Sequence, residues 1–306
     1  MPSSKERPIY GLFCNKKESG KEEKVSTYDI VTQRIIEKME QGEIPWRKPW
    51  KAQLPRNLIT NKPYRGINLL LLGSQDYPSP YWLTFKQAQE KGGHVKKGEK
   101  GSMVTFWKII EKDLKEENEE IKEGKELQFL LRYYTVFNLT QCEEIKAPPP
   151  ERVINPIQKC EEIVSGYRDA PAVRFNNQDK ACYAPMEDYV SIQHRDTFET
   201  AEGYYASLFH EYVHSTGHEK RLGRFNSRDC PRPFVGDEYS KEELIAELGS
   251  AFLCAEAGID NSQIENSAAY IQGWLKPLRN DKRLIVIASS QAAKATRYIL
   301  GQIEEE

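Results

Sequence analysis

The chain of 306 residues carries 44 basic and 46 acidic side chains, a net charge of −2, and 39% hydrophobic residues. That length suits two cores, and the near-neutral balance excludes a uniformly basic nucleic-acid coat while leaving room for a local basic patch. No apolar run approaches the roughly 18 residues of a membrane span, and residues 1–7 lack the apolar core of a signal peptide, so a cytoplasmic protein without a membrane partner is expected.

The six cysteines, Cys14, Cys142, Cys160, Cys182, Cys230 and Cys254, stand singly, as reduced thiols do. Residues 1–26, rich in Lys, Glu, Ser and Gly, read as a mobile arm. From Ser26, the residues Ile30, Val31, Ile35, Ile36 and Met39 recur at helical spacing, which predicts a helix stopped at Gly42. The segment from Trp46 to Arg65 then holds six basic residues and no acidic one, interleaved with Trp46, Trp50 and Tyr64. Single-stranded nucleic acid asks for that mixture, because cations follow phosphates while aromatic faces stack bases. A Pro-rich loop whose tryptophans enter the core and whose cations are merely solvated has the same composition. The candidate DNA contacts are Trp46, Arg47, Lys48, Trp50, Arg56, Asn57, Lys62, Tyr64, Arg65 and Asn68, joined by Lys96, Lys97 and Lys100 from a glycine-rich basic turn at residues 92–101.

Residues 81–85 read as a strand or helix start, 86–91 as a short helix, 103–107 as a strand, and the aromatic stretch 129–139 as that strand's partner. Residues 111–126 hold eight acids and four lysines and read as a solvated excursion. Ala147-Pro-Pro-Pro150 marks a boundary, giving a single-stranded-DNA-binding α+β domain over residues 27–148 and a second domain over 149–306.

The second domain opens with a helical segment near 155–165 and short strands at 172–175, 181–185 and 189–193, the α+β order of a zincin-like fold. Then comes His210-Glu211-Tyr-Val-His214. On a helix, two histidines four residues apart share one face, so both imidazoles can reach one tetrahedral Zn²⁺. Glu211 lies beside that position, where a carboxylate can act as general base on a water attacking a carbonyl. Tyr204, Tyr205, Leu208, Phe209, Tyr212 and Val213 surround the motif and seat the helix in a core.

Catalytic zinc sites hold three protein ligands, so one more is needed. Residues 240–258 read as a helix carrying Glu243 and Glu247 one turn apart. Glu243 is the candidate third ligand, and Glu247 the carboxylate that orients a ligating imidazole. A capping box with Ser240 would explain Glu243 equally, and an exposed helix charge would explain Glu247. His218 is another contender, but Lys220 stands where the metzincin pattern places its third histidine. His194 reads as a surface residue and Cys230 as a small buried or loop residue. Helices over 267–279 and 283–300 close the core.

Taken together, Tyr28-Asp-Ile-Val, Pro45-Trp-Arg-Lys-Pro-Trp50, Tyr64-Arg-Gly-Ile-Asn68, Lys97-Gly-Glu-Lys-Gly101, the His210 to His218 run and Glu242-Glu-Leu-Ile-Ala-Glu247 resemble the ArdC antirestriction family across most of residues 28–300. The resemblance implies an N-terminal single-stranded-DNA-binding domain and a C-terminal zincin-type metallopeptidase domain with one Zn²⁺. It also implies carriage on mobile elements, protection of incoming DNA, and a protein substrate or restriction enzyme as partner. The N-terminal module occurs in conjugative primases too, but the chain has no primase catalytic motif. Two classes of function fit: a DNA-tethered protease, or a DNA-binding shield whose zincin fold is catalytically silent or serves as a protein-interaction module. Glu211 favours the first, because a structural zinc needs no base.

Overall fold

A computed structural model of the chain describes residues 25–47, 54–75, 77–113, 125–148, 155–178, 180–225, 237–259 and 268–302. Residues 1–24 of the expected arm, Lys48, Trp50, most of the acidic stretch, the boundary residues 149–154 and Cys230 lie outside the described residues.

Helix α1, Thr27–Glu40, starts in a capping box: the Ser26 hydroxyl accepts from the Asp29 amide, and the Asp29 carboxylate accepts from the Ser26 amide. It ends before Gly42, whose φ of +84° suits a residue without Cβ. The buried stripe of Val31, Ile35, Ile36 and Met39 is the one its spacing implies. Then follow β1 (Arg56–Asn57), α2 (Ile67–Gly73), β2 (Tyr81–Leu83), α3 (Phe85–Glu90), β3 (His94–Val95), β4 (Ser102–Asp113), β5 (Lys125–Asn138) and β6 (Cys142–Glu143). One sheet has the order β1-β2-β5-β4, and β3 pairs with β6 separately. β4 and β5 form a long antiparallel ribbon, in register from Ser102 opposite Val136 to Asp113 opposite Lys125. Asn68 on α2 fastens the ribbon's base, donating to the Thr105 carbonyl at 2.8 Å and accepting from the Thr105 amide at 2.7 Å.

In the second half, Asn155 caps α4 (Pro156–Gly166). A three-stranded sheet of β7 (Ala172–Asn176), β8 (Cys182–Ala184) and β9 (Tyr189–Gln193) has the order β7-β9-β8, with β7 parallel to β9 and β8 antiparallel. Among the described residues four helices follow: α5 (Ala201–Ser215), α6 (Asp237–Ala257), α7 (Ala268–Asn280) and α8 (Leu284–Ile299). α6 packs between α5 and α8, which buries Leu244, Leu248 and Phe252.

The architecture is α+β with a zincin-like C-terminal half, and its two halves are joined by packing. One apolar cluster runs from Val31 to Ile299, and α1 and α2 rest on α7 and α8. Among the described residues no helix is long and apolar enough to cross a membrane.

Candidate metal centre

The Thr200 side chain caps α5 by accepting from the Gly203 amide, and the buried Tyr205, Leu208, Phe209 and Val213 fix the helix in the core. That seating turns His210 and His214 to one point, with their Nε2 atoms 3.1 Å apart. Two Zn–N bonds of about 2.0–2.1 Å at the tetrahedral angle would separate the nitrogens by about 3.3 Å, so the pair is close to a ligating geometry. Glu243 arrives from α6 with its two carboxylate oxygens each 3.5 Å from one of those nitrogens. One ligand atom from each of His210, His214 and Glu243 lies within 4.8 Å of the others. The helices approach so closely that a Cβ on Gly249 would sit 2.7 Å from a Val213 methyl, so glycine permits the contact that delivers Glu243.

Three carboxylates, Glu211, Glu242 and Glu243, converge on the two imidazoles. Burial disfavours a charge on His214, yet Glu242 and Glu243 overcome that penalty and push it up to about 10. Burial would likewise raise the Glu243 carboxyl, but the two imidazoles hold it well below the ordinary carboxylate range. The cluster calls for a cation, and two imidazoles with one carboxylate are a donor set suited to Zn²⁺ and to similar divalent ions.

Behind His214, Glu242 Oε1 lies 3.4 Å from the buried Nδ1, near enough for charge attraction without a well-aligned hydrogen bond. Arg224 grips Glu242 at 2.7 and 3.2 Å and also donates to the Thr216 hydroxyl and the Val213 carbonyl at the end of α5. Here the sequence reading needs correction: the carboxylate behind the histidine is Glu242, not Glu247. Glu247 instead accepts from Arg47 at 3.0 Å. The physical reason is helical phase, since Glu242 and Glu243 differ by about 100° and so face the two sides of one imidazole. α6 also begins three residues before Ser240, which places Glu243 beyond any capping box. His218 lies past the end of α5 with its Nδ1 accepting from the Lys220 amide, and His194 is exposed and stacked on Phe175.

Residues 25–137 match the family described as the N-terminal domain of anti-restriction factor ArdC, and residues 161–291 match the zincin-like metallopeptidase family. Crystal structures of the antirestriction ArdC protein from plasmid R388, one metal-free and one Mn(II)-bound, are 36% identical, with TM-scores of 0.72 and 0.71. The match covers 90% of this chain and 97% and 98% of those chains. This chain belongs to the ArdC antirestriction family. Protein y4eC of Sinorhizobium fredii, itself uncharacterized, is 32% identical over 90% of this chain and 92% of its own. Two Escherichia coli DNA primases named TraC are 33% and 32% identical, and this chain spans 28% and 20% of their lengths.

In the ArdC-type N-terminal half, several expected DNA contacts turn inward. Trp46 is fully buried and meets Trp274 edge-on at 6.4 Å. Arg47 is 4% exposed, with its guanidinium 3.7 Å above the Tyr270 ring as well as on Glu247. Tyr64 and Asn68 are buried too. These four are corrected from surface contacts to packing residues: Trp46, Arg47 and Tyr64 sit in irregular Pro-rich chain with no period from which direction can be read, and Asn68, on α2, turns inward to bond the Thr105 backbone. Asn57 organises a turn, its Oδ1 accepting from the amides of Ile59 and Thr60. Arg56 is half-buried, Lys62, Arg65, Lys97 and Lys100 are exposed, and Lys96 donates to the Thr140 carbonyl. What sequence reasoning missed is the exposure of aromatic side chains on the expected β4–β5 pair, where Phe106, Trp107, Tyr133 and Tyr134 stand open. The available signal was aromatic residues adjacent in both strands, which alternation cannot all bury on one face.

Proposed function

We propose that this chain is a cytoplasmic antirestriction protein that binds single-stranded DNA through its N-terminal half and carries a metal-dependent peptidase-type site on α5 and α6. The observation that carries the hydrolytic reading is Glu211, buried on the same helix as His210 and His214 and within electrostatic reach of that cluster. His210, His214 and Glu243 would hold one divalent ion, Zn²⁺ or Mn²⁺. Such an ion polarises a carbonyl and makes water a better nucleophile at neutral pH. Glu211 takes the proton from the attacking water and returns it to the leaving amine. Glu242, gripped by Arg224, keeps the His214 ring aimed at the ion. β8 is an edge strand packed beside α5, and an extended peptide can add to such an edge. The R388 relative is known both metal-free and with Mn(II), and this chain fits the two alike, which supports an ion loaded onto a formed fold rather than one that holds the fold together.

The test is calorimetric titration of metal-stripped protein with Zn²⁺ or Mn²⁺, followed by a peptide-library cleavage assay. Wild type should take one ion per chain and cleave; Glu211→Gln should take the ion equally and not cleave. A metal-loaded wild type that cleaves no peptide turns the reading to the other class, a DNA-binding shield or protein-interaction module.

A further inference from the structure

We propose that the outer face of the β4–β5 ribbon is the stacking platform for single-stranded DNA, with Phe106 and Tyr134 receiving bases and Arg132 and Lys108 receiving phosphates. This rests on the DNA-binding reading above but moves the contact away from the Trp46 to Asn68 segment. Antiparallel register sets Phe106 opposite Arg132, Lys108 opposite Leu130 and Val104 opposite Tyr134 on one face; Val104, at the base of the ribbon, is buried in the core, and the other five are exposed. On the opposite face the base is packed, with Met103, Thr105 and Leu131 buried and Asn68 anchoring it, while Trp107 and Tyr133 on that face are exposed. Among the described residues, Phe106 and Tyr134 make ring contact with each other alone. Phe106 is 48% and Tyr134 49% exposed, their rings meet edge-on with centroids 5.6 Å apart, and that geometry leaves ring surface open for a base.

Charge selects the occupant. Among the described residues neither Arg132 nor Lys108 has a carboxylate partner, and the exposed Lys97 and Lys100 lie in the turn that leads into β4. Rings interleaved with cations suit a polyanion with exposed base faces. A second copy fits worse, because a twofold contact would bring the same cations to the same interface.

The experiment is fluorescence anisotropy of a labelled oligo-dT with the full chain across a salt series, with circular dichroism confirming the fold of each variant. Phe106→Ala and Tyr134→Ala should each weaken binding by about fivefold or more and leave the log-log salt slope unchanged. Arg132→Gln should flatten that slope by about 0.7. Tyr134→Phe keeps the ring and should bind as wild type does. Wild-type binding that survives the double alanine variant overturns the platform and leaves the DNA reading standing, whereas no binding by wild type overturns both. A wild-type dimer that the double variant splits in sedimentation would make the face a copy-to-copy contact and overturn the proposal as well.

Discussion

The α5–α6 helix pair and the segment from Trp46 to Asn68 are both dense in side chains that do chemistry, yet they aim them differently. On α5, a spacing of four residues places His210 and His214 on one face whatever surrounds them, and their nitrogens lie 3.1 Å apart. In the Pro-rich segment the spacing carries no direction, and the chain turns its largest ring, Trp46, onto Trp274. A composition that suits a ligand becomes a site only where a regular backbone sets where the side chains point. The two regions also touch, since Arg47 reaches Glu247, one helical turn beyond Glu243.

The strongest way to break this comparison is to remove a proposed ligand. Glu243→Ala should lower affinity for Zn²⁺ or Mn²⁺ by well over about 100-fold in calorimetry, since one of the three proposed donors is lost. Glu242→Gln removes only the charge behind His214 and should cost about 10- to 100-fold. Equal losses would mean that the two neighbours share the ligand role.

Next in size is the segment's buried side. Trp46→Ala should destabilise the chain by about 3–5 kcal/mol in urea unfolding, as deletion of a fully buried ring does. Lys62→Ala, at an exposed position of the same segment, should stay within about 0.5 kcal/mol. A Trp46→Ala protein of normal stability that has lost only DNA binding would return the tryptophan to the surface. Smaller again is Gly249→Ala. Its added methyl overlaps Val213, and overpacking of this kind costs about 1–3 kcal/mol. Because α6 must retreat, metal affinity should fall alongside stability; if it does not, Glu243 is held by something other than the α5–α6 approach.

These residues also show what was legible. The helical stripe of α1, the β4–β5 pairing and the His210, His214, Glu243 cluster all follow from local period, because each depends on phase within one element or on complementary patterns in two. Glu242 was hidden because its role depends on Arg224, which comes from another part of the chain. Arg47 was misread for a similar reason: its partners, Glu247 and Tyr270, lie about 200 residues downstream, and a loop gives no hint of them. The joining of the two halves through α1, α7 and α8 was equally invisible, since a proline run marks a boundary in sequence without saying whether the cores beyond it merge.

The last prediction concerns the loop just past the metal helix, where regular backbone gives way to an irregular turn that is nonetheless held in place. Arg221 donates to both Asp188 oxygens at 2.8 and 3.1 Å and to the Ser215 carbonyl at the end of α5, and Tyr183 donates to Asp188 as well. Burial works to raise the Asp188 carboxyl, but Arg221 and Tyr183 outweigh it and hold it below its ordinary value of 3.8. A depressed folded value means that the native state favours the ionised form. The clamp's contribution is therefore complete above about pH 5 and drains away as pH falls through the folded value. Asp188→Asn keeps a residue that tolerates the positive φ of 53° found there but removes the charge. At pH 7 the variant should be less stable than wild type by about 1–2 kcal/mol, the scale of hydrogen bonds to a charged group. On acidification that gap should close, because protonation brings wild type to the variant's condition. A gap that is constant from pH 7 to pH 3 would show that Asp188 acts through shape rather than charge, and that the turn beyond α5 is held by backbone contacts alone.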